Sequence, residues 1–152
     1  MSKKLNKKGV TLIELVIVMV IIAIGAVLMA PNIGRWLPNY RLRSATRDIT
    51  STLRTAQMKA VSTNMQYQIL FTAGTGNDGS YVLRRSTDGI NWITDGPSQI
   101  LPAGITLGVN FIGSTAVFNP NATSSSGSVT VSNTTTQRQI VVNAATGRVR
   151  IQ

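Results

Sequence analysis

The stretch of sequence that decides the fold is residues 7–34, which read KKGVTLIELVIVMVIIAIGAVLMAPNIG. Residues 15–34 form a run of twenty residues without a formal charge, rich in Leu, Ile, Val and Met. At a rise of about 1.5 Å per residue, a helix of this length spans roughly 30 Å, which matches the hydrocarbon core of a bilayer. The sequence therefore predicts a membrane-spanning helix near the N-terminus.

The charges around this run predict its orientation. Four lysines precede it, namely Lys3, Lys4, Lys7 and Lys8. The positive-inside rule therefore places the N-terminus in the cytoplasm and the long remainder outside. A conventional secretory signal with a small-x-small site at residues 23–25 is the alternative interpretation. Two features oppose it: the apolar run continues through Met29, and Glu14 lies where an ionised carboxylate is costly.

A second apolar pattern follows the first. Apolar residues recur at helical spacing at Ile33, Leu37, Tyr40, Ala45, Ile49, Leu53, Ala56 and Ala60. Arginines occupy much of the opposite face of the same segment. The sequence therefore predicts one long helix from about Thr11 to about Ser62, whose outer half packs against the residues that follow it.

The remainder of the chain is typical of β structure. Strand-like segments occur at 65–72, 79–84, 90–93, 105–109, 115–118, 128–132, 138–143 and 148–151. Asp88-Gly89 is a turn signal, and residues 119–126 read as a loop. We therefore predict an α+β fold, in which the long helix packs on a head of two small antiparallel sheets.

The composition restricts the classes of function. The 152 residues include 15 Lys plus Arg, 5 Asp plus Glu, no His and no Cys. This excludes the Ser-His-Asp triad, a Cys nucleophile and the usual metal ligands, so we expect no enzyme activity, cofactor or metal, although a secreted or anchored enzyme stays a remote alternative. The net charge of +10 favours an anionic partner, but most of the basic residues precede residue 64.

Residues 7–15, KKGVTLIEL, resemble the class III signal of type IV pilins and type II secretion pseudopilins. In that family a prepilin peptidase cuts after the glycine and N-methylates the new terminus. The resemblance implies cleavage between Gly9 and Val10 and N-methylation of Val10, which differs from the commoner Phe. It divides the chain into a leader (1–9), a transmembrane and assembly half of the helix (10–34), an amphipathic half (35–63) and a β-rich periplasmic head (64–152).

Glu14 is the fifth residue of the mature chain that this resemblance implies. Its carboxylate could neutralise the terminal amine of a neighbouring subunit when such helices stack in a filament. Away from water that ion pair is strong, and either charge alone is penalised. Glu14 would then select the correct register during assembly. A carboxylate that merely extends to the membrane–water interface is the other interpretation.

Later segments resemble the GspH/FimT branch of minor pilins and pseudopilins. The segments are residues 53–64, Asp88-Gly89 with Trp92, and Gly147-Arg148-Val149-Arg150. The resemblance implies a structural subunit of a type II secretion pseudopilus or a type IV pilus, held as a single-pass protein in the bacterial inner membrane. Its implied partners are prepilin peptidase and other pilins, and it leaves open which machinery uses the chain.

A DNA-binding minor pilin for DNA uptake in transformation is the alternative function. In some FimT-type pilins a C-terminal Gly-Arg-x-Arg segment contacts DNA, and Arg148 and Arg150 match it. Strand alternation would place both on one face while Val149 and Ile151 point inward, and Arg138 on the partner strand could complete a phosphate-binding patch. The competing interpretation is that paired arginines keep a strand edge soluble.

Overall fold

The computed structural model describes residues 9–152, without the side chains of residues 29–35. The chain divides into two compact units, of which the first ends at Leu37 and the second is Pro38–Gln152. A single helix, α1 (Leu12–Thr63), contributes residues to both. The predicted helix is confirmed to within one residue at each end.

In the first unit, α1 exposes a series of apolar side chains. They include Leu15, Val16, Ile17, Val18, Met19, Val20, Ile21 and Ile22. No helix in the described part of the chain is long and apolar enough to cross a membrane. The side chains of residues 29–35, which belong to the predicted membrane span, lie outside the described residues.

In the second unit, α1 buries one stripe of side chains. The buried apolar residues of this stripe are Leu42, Ala45, Ile49, Leu53, Ala56 and Ala60. The predicted stripe is therefore right from Ala45 onward, but Tyr40 is 55% exposed and Leu42 replaces it. The reason is helical periodicity, since Leu42 lies three residues before Ala45 on the same face, whereas a spacing of five turns Tyr40 away. Ile33 lies outside the described side chains.

Two threonines also belong to the buried face of α1. Thr46 and Thr50 are both buried. Their hydroxyl groups donate to the backbone oxygens of Leu42 and Thr46 respectively, at 2.7 Å in each case. Because the helix itself supplies the hydrogen-bond acceptors, these side chains are buried without an unpaired polar group.

Ten strands follow the helix in chain order. They are β1 (Gln66–Thr72), β2 (Gly74–Thr75), β3 (Ser80–Ser86), β4 (Ile93–Thr94), β5 (Gln99–Ile100), β6 (Thr106–Asn110), β7 (Thr115–Phe118), β8 (Gly127–Ser132), β9 (Gln137–Val142) and β10 (Val149–Ile151). One sheet has the order β4-β3-β1-β7, with β5 also paired to β3, and the other has the order β10-β9-β8-β6-β2. All pairings are antiparallel, which confirms the prediction of two small antiparallel sheets.

A single hydrophobic core joins the helix to both sheets. The sheets contribute to it, among others, Ile69, Phe71, Ala116, Phe118, Leu107, Val129, Val131, Ile140 and Val142. Phe71 stacks on Phe111, which follows β6, with ring centroids 6.2 Å apart. The core thus fixes both sheets on the stripe of α1, as the alternating apolar pattern of the strands requires.

The predicted strand at residues 90–93 is wrong except at its last residue. The Asp88 carboxylate accepts hydrogen bonds from the amides of Ile90 and Asn91, at 2.9 and 2.8 Å. These amides cannot join a sheet, so the strand starts only at Ile93. The amide bonds, that of Asn91 first, hold the pKa of Asp88 far below its ordinary value. The predicted turn is confirmed, with Gly89 at a φ of +73°.

Candidate functional site

The first candidate site is the start of α1. Gly9, Val10 and Thr11 precede the first helical residue, and Val10 is 74% exposed. No atom of the described structure lies within 4 Å of the position that a Cβ on Gly9 would take. The bond between Gly9 and Val10 therefore lies in accessible, non-helical backbone. The lysines of the leader lie outside the described residues.

Thr11 caps this helix, a role that the sequence interpretation missed. The Glu14 amide donates to Thr11 Oγ1 at 3.3 Å, and the Leu15 amide donates to the Thr11 backbone oxygen at 3.2 Å. The signal was present, because a threonine followed three residues later by a glutamate is the pattern of a capping box. Glu14 itself is exposed in the first helical turn, where the helix dipole favours a carboxylate.

The second candidate site is the C-terminal strand. Val149 faces Val142 across the hairpin of β9 and β10, and Arg150 faces Val141. Val149 is buried, whereas Arg148 and Arg150 are exposed. The two arginines share the outer face of the sheet, as strand alternation predicts. Their guanidinium groups are available to a carboxylate or a phosphate.

Arg138 does not join these two arginines, which corrects the predicted patch. It faces Val131 across β8 and β9, and Val131 is fully buried on the helix side of the sheet. Arg138 is half-buried and lines a cleft of about 270 Å³ together with Arg43 and Arg47 of α1. The register of β9 therefore directs Arg138 to the opposite face from Arg148.

Gly147 shapes the turn that presents the two arginines. It has a φ of +60°, and a Cβ there would lie 2.8 Å from the backbone oxygen of Ala122 and 2.8 Å from Nε2 of Gln57. The same Gln57 nitrogen donates to the backbone oxygen of Thr146 at 2.9 Å. The glycine of the Gly-Arg-x-Arg segment is therefore a requirement of the fold.

Two arginines of α1 also lie beside β10, and the sequence interpretation did not single them out. Arg47, Arg54 and Met58 line a cleft of about 320 Å³ with Ile151. Spacings of seven and four residues place the three side chains on one helix face. Their shared spacing was visible in the sequence, but their proximity to β10 depends on the tertiary fold.

Comparisons with known proteins follow this geometry. Residues 4–30 match the prokaryotic N-terminal methylation motif, and residues 45–146 match the type II transport protein GspH. The chain is similar to the type IV minor pilin FimU of Pseudomonas aeruginosa (15% identity, TM-score 0.61), over 77% of this chain and 92% of FimU. A search of curated protein sequences finds no match.

A second solved structure has a similar fold. It is the minor pseudopilin EpsH from the type 2 secretion system of Vibrio cholerae, with 9% identity and a TM-score of 0.62 over 74% of this chain and 96% of EpsH. The likeness to both structures confirms the predicted pilin-like fold. The GspH match extends over well over half of the chain, from the outer part of α1 to the turn before β10. The chain therefore belongs to the GspH family of type II transport proteins.

Proposed function

We propose that this minor pilin or pseudopilin is made as a prepilin, cleaved between Gly9 and Val10 and N-methylated on Val10 before it joins a filament. The observation that carries the proposal is one chain with both matches, the methylation motif at residues 4–30 and the GspH domain at residues 45–146. Prepilin peptidase and the other pilins of a type II secretion pseudopilus or type IV pilus are its partners. The exposed backbone around Gly9 supports access by a peptidase.

The uncharged run of residues 15–34 is the anchor in this proposal. Four lysines precede it, which supports a cytoplasmic N-terminus and a periplasmic head in the bacterial inner membrane. The methylation motif is the independent support for an N-terminal hydrophobic anchor. Cleavage after Gly9 then removes the lysines and leaves the anchor at the start of the mature chain.

Glu14 is the assembly residue in this proposal. Thr11 already caps the helix, and the Glu14 carboxylate makes no hydrogen bond with any described residue. The carboxylate is thus available to the amine that cleavage exposes on Val10 of a neighbouring subunit. In surroundings without water, that ion pair removes the penalty of two isolated charges.

Replacement of Glu14 tests this role. Glu14→Ala is expected to leave cleavage intact and to lower incorporation into filaments about tenfold or more, because the neighbour's amine loses its counter-charge. Cleavage is measured by intact mass, and incorporation by quantitative immunoblotting of sheared filaments.

Thr11→Ala is the matched control for Glu14→Ala. It removes the cap at the same helix end, at a cost of about 1 kcal/mol, and keeps the carboxylate. Incorporation of Thr11→Ala near the level of the unchanged chain, together with loss for Glu14→Ala, supports neutralisation of the amine. Normal incorporation of Glu14→Ala, or equal loss for both variants, contradicts it.

DNA binding during transformation is the second candidate function. The observation that favours it is the shared exposed face of Arg148 and Arg150. Guanidinium groups on a strand contact phosphates without reading the bases, so duplexes of different sequence should bind equally. Arg138 lies on the opposite face and has no part in this proposal.

A gel shift with duplex DNA and the full chain in detergent tests this candidate. Arg148→Gln plus Arg150→Gln is expected to weaken binding and to lower the salt dependence of the logarithm of affinity by about two, one for each phosphate contact. Arg43→Gln plus Arg85→Gln removes the same charge elsewhere and is expected to keep that dependence. Equal binding by both variants, or no binding by the unchanged chain, contradicts the DNA function.

A further inference from the structure

The C-terminal strand β10 forms one edge of its sheet and, among the described strands, pairs only with β9. Gln152 and Gln139 exchange two backbone hydrogen bonds of 2.7 and 3.1 Å, and the Asn143 amide donates to the Arg148 oxygen at 3.0 Å. Bonding residues alternate along an antiparallel strand. The N–H and C=O groups of Val149 and Ile151 therefore point away from β9.

These backbone groups face a groove. We call it the edge groove, and its walls are Arg47, Arg54 and Met58 of α1 and Val149 and Ile151 of β10. It comprises two adjoining clefts of about 510 and 320 Å³. Met58 is 62% exposed and Ile151 is 42% exposed, although the sequence predicted an inward Ile151. The groove thus combines an unpaired strand edge with open apolar surface.

The charge around the edge groove is of one sign. Arg47 and Arg54 project from its helical wall, and Arg148 and Arg150 lie along the outer face of the strand. None of the described residues that line the two clefts is acidic. An incoming strand would therefore meet arginines on both of its faces.

We propose that the edge groove binds an extended acidic segment of a different protein as an additional β-strand. The backbone of that segment pairs with Val149 and Ile151. Its outward side chains lie beside Arg148 and Arg150, where carboxylates form favourable cross-strand pairs. Its inward side chains contact Met58 and the apolar residues of β10. The best segment therefore alternates acidic and apolar residues, and this binding does not depend on the N-terminal anchor.

A second copy of this chain does not supply such a segment. The chain has only five acidic residues, and the four in the second unit are Asp48, Asp78, Asp88 and Asp95. No two of them lie within seven consecutive residues, so none of its strand-length segments alternates acidic and apolar residues. The charge of the groove thus selects a different, more acidic protein.

The test uses the full chain in detergent micelles and fluorescence anisotropy with a labelled heptapeptide, acetyl-TEVEVET-amide. The acidic peptide is expected to bind at least about tenfold more tightly than acetyl-TKVKVKT-amide. Ile151→Pro removes the amide that points into the groove and is expected to weaken binding about fivefold. Ile151→Val keeps that amide and is expected to bind the peptide as the unchanged chain does. Equal affinity for the two peptides, or equal binding by the two variants, overturns the proposal.

Amide hydrogen exchange followed by NMR supplies the second measurement. Peptide binding is expected to slow exchange of the Val149 and Ile151 amides and to leave the Arg150 amide, which already faces Val141, unchanged. Binding without protection of these two amides overturns strand addition, because charge alone would then explain it. Displacement of the peptide by duplex DNA that leaves the two amides unprotected would assign the groove to nucleic acid and also overturn the proposal.

Discussion

A chain that carries Gly9→Leu is expected to keep its leader and to remain 152 residues long in cells that contain the peptidase. Glycine permits close approach of a backbone to a bound partner, and a branched side chain beside the scissile bond blocks that approach. The fold of the chain itself does not oppose the substitution, because no described atom lies within 4 Å of the new Cβ. A loss of processing therefore reports on recognition by the peptidase.

Gly25→Leu is the matched control for this experiment. No described atom lies within 4 Å of the position that a Cβ on Gly25 would take, but this glycine lies inside α1 and far from the cleavage site in sequence. Intact mass spectrometry of membrane fractions is expected to show an N-methylated start at Val10 for the unchanged chain and for Gly25→Leu. Cleavage of Gly9→Leu at the same bond, or a mature start at Ala26 in the unchanged chain, contradicts the processing proposal.

The helix was predictable because its signals are local. The spacing of Ala45, Ile49 and Leu53 repeats at every turn, and each position turned out to be buried. Buried Thr46 and Thr50 were not predicted, because a hydroxyl reads as polar until its bond to the preceding turn is known. Periodicity of apolar residues thus locates the helix but underestimates the width of its buried face.

The shortest strands could not be predicted, because distant partners define them. β2 consists of Gly74 and Thr75, which pair with Leu107 and Thr106. β5 pairs with the start of β3, across more than a dozen residues of chain. Neither two-residue segment has an alternation of its own, so only the tertiary structure shows that it is a strand.

The candidate site was predictable in part for a similar reason. Arg148 and Arg150 alternate with apolar residues, so their common face follows from the sequence alone. In β9, Ile140, Val141 and Val142 are consecutive apolar residues, so alternation does not decide which face Arg138 takes. The pairing of Arg138 with Val131 decides it, and that register is a long-range property.

Gly147→Ala is expected to lower the free energy of unfolding by about 2–4 kcal/mol. The left-handed backbone at Gly147 accounts for about 1 kcal/mol of this loss, since a Cβ there approaches its own carbonyl. Crowding adds about 1–3 kcal/mol, because the Ala122 oxygen that the Cβ meets belongs to a turn held by the bond from the Ala122 amide to the Asn119 oxygen. Urea titration of the full chain in detergent, followed by circular dichroism, measures the change.

Gly113→Ala separates the two contributions. Gly113 has a φ of +65°, close to that of Gly147, but the nearest atom to its Cβ position is 3.9 Å away. Its replacement is therefore expected to cost only about 1 kcal/mol. Equal losses for the two variants would contradict the crowding at Gly147.

The same titration distinguishes the glycine of the Gly-Arg-x-Arg segment from its arginines. Arg148→Gln plus Arg150→Gln is expected to leave the free energy of unfolding within about 0.5 kcal/mol, because both side chains are exposed. Any loss of DNA or peptide binding in that variant then belongs to the arginines themselves. A loss of binding in Gly147→Ala alone would instead belong to the turn that positions β10.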